Sequence, residues 1–380
     1  MIIRQQILQD EHTPVKINDG HRGSGNLILV FGPTEKLQKK DLLSGIRAAF
    51  PPEAQVVGCS TSGEITRDGS RDGDVTLTSL KFLKTTIKVE CIPVAAMEES
   101  KAAGGILGRA LRGEGLKFVL VLSDGLHVNG SDVVAGLRAE LGDGIVISGG
   151  LAGDGTRFAQ TVVIAGAVAR AKSLVAVGFY GDDFLARSYS ASGWQPFGAF
   201  RKVTRAQGNV VYEIDGVNAL DVYCKYLGDD AAQLPASGLL YPLALRVAEN
   251  DAGLIRTLLA VDKDKGSLTF AGDVPEGAMV RLMHASHTQL IEGAGRAAGQ
   301  TMLTAGPEPE FGLLISCVGR KLVMGTQTDL EIEAVAEQIP HCAVFSGFYS
   351  YGEIGFYEGS GTCGLHNQTM TVTTLAERTS

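Results

Sequence analysis

Three Gly-rich stretches, each ending in one carboxylate, hold most of the chemistry available to this sequence: Gly58-Cys59-Ser60-Thr61-Ser62-Gly63-Glu64, Gly149-Gly150-Leu151-Ala152-Gly153-Asp154 and Gly347-Phe348-Tyr349-Ser350-Tyr351-Gly352-Glu353. Glycine allows close backbone approach, so the first stretch can turn N–H groups and the Cys59, Ser60 and Thr61 side chains toward an anion. Three such turns make a site if they point to one centre, and are only corners if they do not. Cys59, Ser60 or Ser62 as a nucleophile needs an activating base, and no histidine stands near them in sequence. Cys317 and Arg320 follow a strand in Ser316-Cys317-Val318-Gly319-Arg320, at the edge where α/β sheets place ligands. Arg320 there either forks onto a carboxylate or closes the strand as an exposed cation.

Imidazole is a common ligand for zinc and haem iron, so the seven histidines are candidates in turn. His12, His21 and His127 fall in expected loops. His284 and His287 share a helical face if a helix begins early enough, but no clear third ligand accompanies them. His341 stands beside Cys342 before a strand, and His366 opens the polar run His366-Asn367-Gln368-Thr369; a lone histidine is more often hydrogen-bonded structure than a metal ligand. There is no G-x-S-x-G elbow, no Walker loop and no H-E-x-x-H. The match Gly359-Ser360-Gly361-Thr362-Cys363-Gly364 leads into a strand-like stretch instead of the helix a dinucleotide site needs.

The elements that must position these residues form a repeat. Leu27 to Phe31, Phe118 to Leu122 and Phe311 to Cys317 are apolar strands, followed by helical stretches around 37–50, 131–141 and 329–338 and by second strands that end in the glycines. About 30 residues separate the paired strands in each copy, which suits a strand, crossover helix and second strand. Alternating sequence after each turn, as in Thr369-Met370-Thr371-Val372-Thr373, predicts antiparallel hairpin extensions. The expectation is a mixed α/β fold of two lobes, with a first domain over 25–219, a second over 220–365 and a terminal strand and tail over 366–380.

Composition narrows the function. The 380 residues carry a net charge of −8, so the surface repels phosphate backbones and nucleic acid is not an expected partner. Apolar runs are too short for a membrane span, and the start lacks the pattern of a targeting segment, so a cytoplasmic location is expected. Six cysteines without a C-x-x-C pair read as reduced thiols.

Taken in order, Val57-Gly58-Cys59-Ser60-Thr61-Ser62-Gly63-Glu64-Ile65, Gly149-Gly150-Leu151-Ala152-Gly153-Asp154, Gly193-Trp194-Gln195-Pro196-Phe197-Gly198, Tyr212-Glu213-Ile214-Asp215-Gly216, Ala271-Gly272-Asp273-Val274-Pro275-Glu276-Gly277, Ser316-Cys317-Val318-Gly319-Arg320, Gly347 to Ile354 and His366 to Thr369 resemble the FIST family, with FIST-N and FIST-C sensory domains. The resemblance implies a non-enzymatic sensor in bacterial signal transduction whose output passes to a separately encoded partner. Amino-acid-like ligands are one implication. The other comes from the NosP-like branch, whose members bind haem, sense nitric oxide and regulate a histidine kinase or cyclic-di-GMP enzymes. For an amino acid, residue chemistry selects Arg320 for the carboxylate, Glu353 for the ammonium group and Trp194, Tyr349 and Tyr351 as aromatic walls. For haem it selects His366 first and His284 second as iron ligand. A thiol-dependent or acyl-transfer enzyme at Cys59 or Cys317 is the alternative, and oligomeric state is open.

Overall fold

The protein is described by a computed structural model, over residues 1–8, 17–18, 25–246, 254–357 and 363–378. His12, His21 and residues 359–362 of the Gly-rich match lie outside the described residues. The chain is mixed α/β, as the sequence pattern predicts, and the three-fold repeat organises it.

Each repeat contributes a parallel strand pair: Leu27–Gly32 with Gln55–Ser60, Leu116–Ser123 with Val146–Leu151, and Phe311–Cys317 with Val344–Ser350. A strand from later in the same repeat runs antiparallel against the first member, as Val75–Lys81, Ser173–Tyr180 and Met370–Glu377. An outer strand completes that side: Ile2–Leu8, Thr86–Pro93 and Phe184–Ala191.

The antiparallel hairpins do not stay with their own repeats. The hairpin Glu64–Thr66 with Gly69–Arg71 joins the third sheet, Val163–Ala165 with Val168–Arg170 joins the first, and Gly352–Phe356 with Cys363–His366 joins the second. Three six-stranded sheets are thus closed in a cycle, each lending two strands to another.

Equivalent positions recur in the same register. Gly58, Gly149 and Gly347 face Val30, Val121 and Leu314 across the parallel pairs, and a β-carbon on any of them would sit 1.8 Å from the facing carbonyl oxygen. The backbones therefore touch where only glycine fits. Gly73, Lys172 and Gln368, just before the antiparallel strands, all take positive φ, at 83°, 48° and 61°.

The apolar strand runs are continuous because both faces are covered. Leu27, Leu29 and Phe31, Phe118, Leu120 and Leu122, and Phe311, Leu313 and Ile315 meet in one central core between the sheets. The other faces lie under helices: Lys40–Ala48 on the first sheet, Ser100–Leu111 and Gly130–Leu141 on the second, His287–Thr301 and Thr328–Gln338 on the third. Side-chain caps start two of them, Asn129 accepting from Ser131 and Asp132, and Ser286 forming a capping box with Gln289. Because that second helix begins at His287 while His284 ends a strand, the two histidines do not share a helical face.

Residues Gln195–His284 hold a separate, smaller lobe. Its antiparallel sheet of eight strands packs Val203, Val211, Leu268 and Phe270 against Tyr223 of the helix Ala219–Leu227. Among the described residues no helix is long and apolar enough to cross a membrane.

Candidate functional site

The three Gly-rich turns do converge. Ser62 N donates to the Tyr349 carbonyl at 2.8 Å, Tyr349 N returns to Gly63 O at 2.8 Å, Gly153 N donates to Ser60 O at 2.9 Å, and Tyr351 N to Leu151 O at 3.2 Å. Two hollows open beside this junction, one lined in part by Phe158 and the other by Asp154 to Arg157.

The larger is a cleft of about 490 Å³ between the three-sheet body and the smaller lobe. The body supplies Asn129, Asp132, Phe158 and Tyr351, and the lobe supplies Leu259, Phe270 and Asp273. Asn129 Nδ2 donates to Asp273 Oδ2 across the gap at 3.3 Å. Burial, and then the nearby Asp273 charge, raise the Asp132 carboxyl above its ordinary range. The rings of Phe158 and Tyr351 stack with centroids 4.5 Å apart and 13° between planes. The Tyr351 hydroxyl donates to Asp154, which also accepts from the N–H groups of Phe158, Ala159 and Gln160, each at 2.9 Å. Burial opposes ionisation of Asp154, but these hydrogen bonds outweigh it and hold the carboxyl below the usual range. Arg256, buried in the lobe, donates to the Asp273 carbonyl at 3.2 Å and to the Leu365 carbonyl at 3.4 Å, and so ties lobe to body.

The smaller hollow, about 290 Å³, is lined by Thr61, Ser62, Gly63 and Glu64 together with Asp154 to Arg157. Glu64 is 1% exposed. Burial raises its pKa to about 7, aided by Asp72 and Asp74, while the Thr61 hydrogen bond and Lys321 pull the other way.

The residues singled out in the sequence scatter over these surroundings. Tyr351 lines the cleft, and Thr61 lines the hollow. Cys59 is in the central core, and Ser60 Oγ accepts from Val162 N at 3.0 Å without exposure. Burial pushes both the Cys59 and Cys317 thiols up, the reverse of an activated nucleophile. Arg320 does not close its strand as an exposed cation: it is fully buried, donating to Glu331, to Ser192 O and to Leu290 O at 2.8 Å. Its fork is spent joining three segments of the body. Glu353 is equally enclosed, accepting from Ser350 Oγ at 2.5 Å and from Thr369 Oγ1 at 2.9 Å and Thr369 N at 3.2 Å, with burial raising its pKa to about 8. Tyr349 is buried, its hydroxyl pushed up by burial and by Glu331. Trp194 packs between Ile255, Met283, Leu290 and Met324 at the lobe junction, away from the cleft lining.

His366 is 1% exposed, its Nε2 3.0 Å from Gly355 O and its ring stacked on Tyr357. Burial lowers its pKa to about 4, and Arg256 adds to this against the Gly355 hydrogen bond. His284 ends its strand exposed, 6.2 Å from the Tyr241 ring. Neither histidine lines the cleft or the hollow. Among the described residues no group of three or more His, Cys, Asp or Glu side chains is placed to hold a metal ion.

Asp132, Asp273 and Asn129 are not among the site residues the sequence points to. Their signals were present, Asn129-Gly130-Ser131-Asp132 as a helix start and Gly272-Asp273 inside a quoted motif, but nothing local brings the two together.

A body and a lobe with a mainly apolar cleft between them, carrying a few polar groups such as Asn129, Asp132 and Asp273, are the build of a small-ligand-binding protein. Comparison with family models matches residues 26–217 to the FIST N domain and residues 219–356 to the FIST C domain. The chain belongs to the FIST family, whose domains are sensory domains of signal transduction that bind small ligands. The comparison with curated proteins gives no match. Among solved structures, that of cyanuric acid hydrolase from A. caulinodans is 13% identical, over 78% of this chain and 100% of that one, with a TM-score of 0.18. A likeness that weak carries no argument.

Proposed function

We propose that this FIST protein is a non-enzymatic cytoplasmic sensor whose cleft receives a small amine-bearing, amino-acid-like molecule. The observation that carries the reading is the pair Asp132 and Asp273, one on the body and one on the lobe, facing the same space beside the Phe158–Tyr351 stack. Without ligand their like charges oppose closure. An ammonium group between them reverses the sign of that interaction, and the aromatic pair supplies a cation-attracting wall. Such a ligand favours the closed arrangement over the open one, and that difference shifts the population. The Arg320 and Glu353 roles move accordingly to residues with open access.

Calorimetric titration of the full chain with a panel of free amino acids and amines tests this. Asp273→Asn or Asp132→Asn should weaken the best ligand at least tenfold; unchanged affinity in both variants overturns the assignment.

A haem-dependent nitric oxide response, acting on a separately encoded histidine kinase or cyclic-di-GMP enzyme, is the second reading. One observation favours it: the buried Nδ1 of His366 has no hydrogen-bond partner. In the conformation described, however, Tyr357 and burial close that ring off, so the residues present do not fit haem. Haemin titration separates the cases. A saturable Soret band lost in His366→Ala supports the reading, and a band unaltered in both His366→Ala and His284→Ala removes both residues as ligands.

A further inference from the structure

We propose that the hollow beside Glu64 is a second binding site, distinct from the interlobe cleft, which takes a small hydrogen-bond-donating cation of the primary-ammonium class. The internal repeat points to it. Glu64 and Glu353 hold the same position, six residues after Gly58 and Gly347, and each accepts a 2.5 Å hydrogen bond from a hydroxyl three residues upstream, Thr61 or Ser350. The second oxygen of Glu353 is satisfied by the Thr369 N–H and hydroxyl. The second oxygen of Glu64 is buried and has no partner.

The difference has a visible origin. Thr369 immediately precedes the strand Met370–Glu377, and the residue in that place before Val75–Lys81 is Asp74. A carboxylate has no hydrogen to give, and Asp74 instead accepts from Arg71 Nε at 3.0 Å. One copy of the motif thus completes its glutamate from within, and the other leaves it facing a hollow. A buried acceptor without a donor is costly, so the position is held open at the expense of stability.

The surroundings select the missing partner. Asp72 and Asp74 add negative charge around Glu64. The nearest cations are engaged: Lys321 Nζ with Ser62 O at 2.9 Å and with Asp72, Arg157 with Asp154 O at 2.9 Å and Glu35 at 3.1 Å. Negative charge together with an acceptor that wants a hydrogen favours an ammonium group. The carboxyls are not grouped as a metal site requires.

The test is NMR of full-length protein carrying ¹³C at glutamate Cδ, titrated with methylammonium chloride and, in parallel, with tetramethylammonium chloride, a cation with no N–H to donate. Methylammonium should move the Glu64 signal saturably and lower its titration midpoint, while tetramethylammonium does neither. Asp74→Thr, which restores the internal donor of the third repeat, should weaken the methylammonium response of Glu64 at least tenfold in a folded protein; Asp273→Asn in the cleft should leave the Glu64 response unchanged. No saturable response, an equal response to both cations, or full affinity in Asp74→Thr overturns the proposal. A response lost in Asp273→Asn also overturns it, by placing the cation in the cleft.

Discussion

Arg320 donates from Nε and from Nη2 to one oxygen of Glu331, at 3.1 and 2.8 Å, with neither side chain exposed. Ser316 Oγ gives the other Glu331 oxygen its partner at 3.0 Å. Removing one member of such a pair strands the other charge in a low-dielectric interior. Arg320→Ala should therefore cost about 3–5 kcal/mol, measured by urea unfolding. The double change Arg320→Met with Glu331→Leu should recover most of that loss. A loss below about 1 kcal/mol in the single variant would mean the pair is solvated.

Gly58, Gly149 and Gly347 make the same prediction three times. Alanine at any one pushes its β-carbon into a facing carbonyl and should prevent or severely weaken folding. Gly144→Ala, where nothing lies within 4 Å, should change stability by no more than about 0.5 kcal/mol. Expression followed by denaturant melts compares the four, and three tolerated core alanines would refute the described strand register.

Glu353 makes stability depend on pH. Its folded pKa of about 8 lies above the ordinary 4.5, so between these values only the unfolded chain releases the proton. Its contribution is fully present below pH 4.5 and is lost as pH rises to about 8, with a slope of at most ~1.4 kcal/mol per pH unit. Urea midpoints from pH 5 to 8 should fall less steeply in Glu353→Gln than in the native chain. Identical slopes would show that Glu353 ionises freely when folded.

The thiols give a chemical check. Cys59, Cys317, Cys342 and Cys363 are buried, whereas Cys91 and Cys224 are partly exposed. Alkylation of the native protein at pH 8 should label Cys224 and Cys91 first and spare the other four, read by peptide mass spectrometry. Fast labelling of Cys59 or Cys317 would revive a thiol enzyme.

The parallel strands and their crossover helices are legible because burial on both faces leaves uninterrupted apolar runs, as in Phe118 to Leu122 and Phe311 to Ile315. Gln195–Gln207 is not: its pairing shifts register between Phe197 and Arg201 and again near Arg205, which breaks the alternation that marks a strand. That the carboxylate Arg320 meets is Glu331, inside the protein, is not legible because Glu331 lies on a following helix rather than one turn away. The cleft is hidden for a related reason, since Asp132 and Asp273 are brought together only by the packing of lobe on body. What the repeat did disclose was the three carboxylate turns; which of them keeps a free oxygen depends on residue 74 or 369, set by alignment of the copies.

The lent hairpins fix when this chain can finish folding. Glu64 to Arg71 leaves the ribosome early, but its pairing strand Val344–Ser350 is made near the end, and Met370–Glu377 must still enter the interior of that same sheet. Contacts of such long sequence separation make for slow closure. A break between residues 217 and 219, where the two family domains meet, would leave both products with unpaired sheet edges, which are templates for aggregation. The two domains named along the sequence are therefore not two independent folding units, and the first repeat waits for the last.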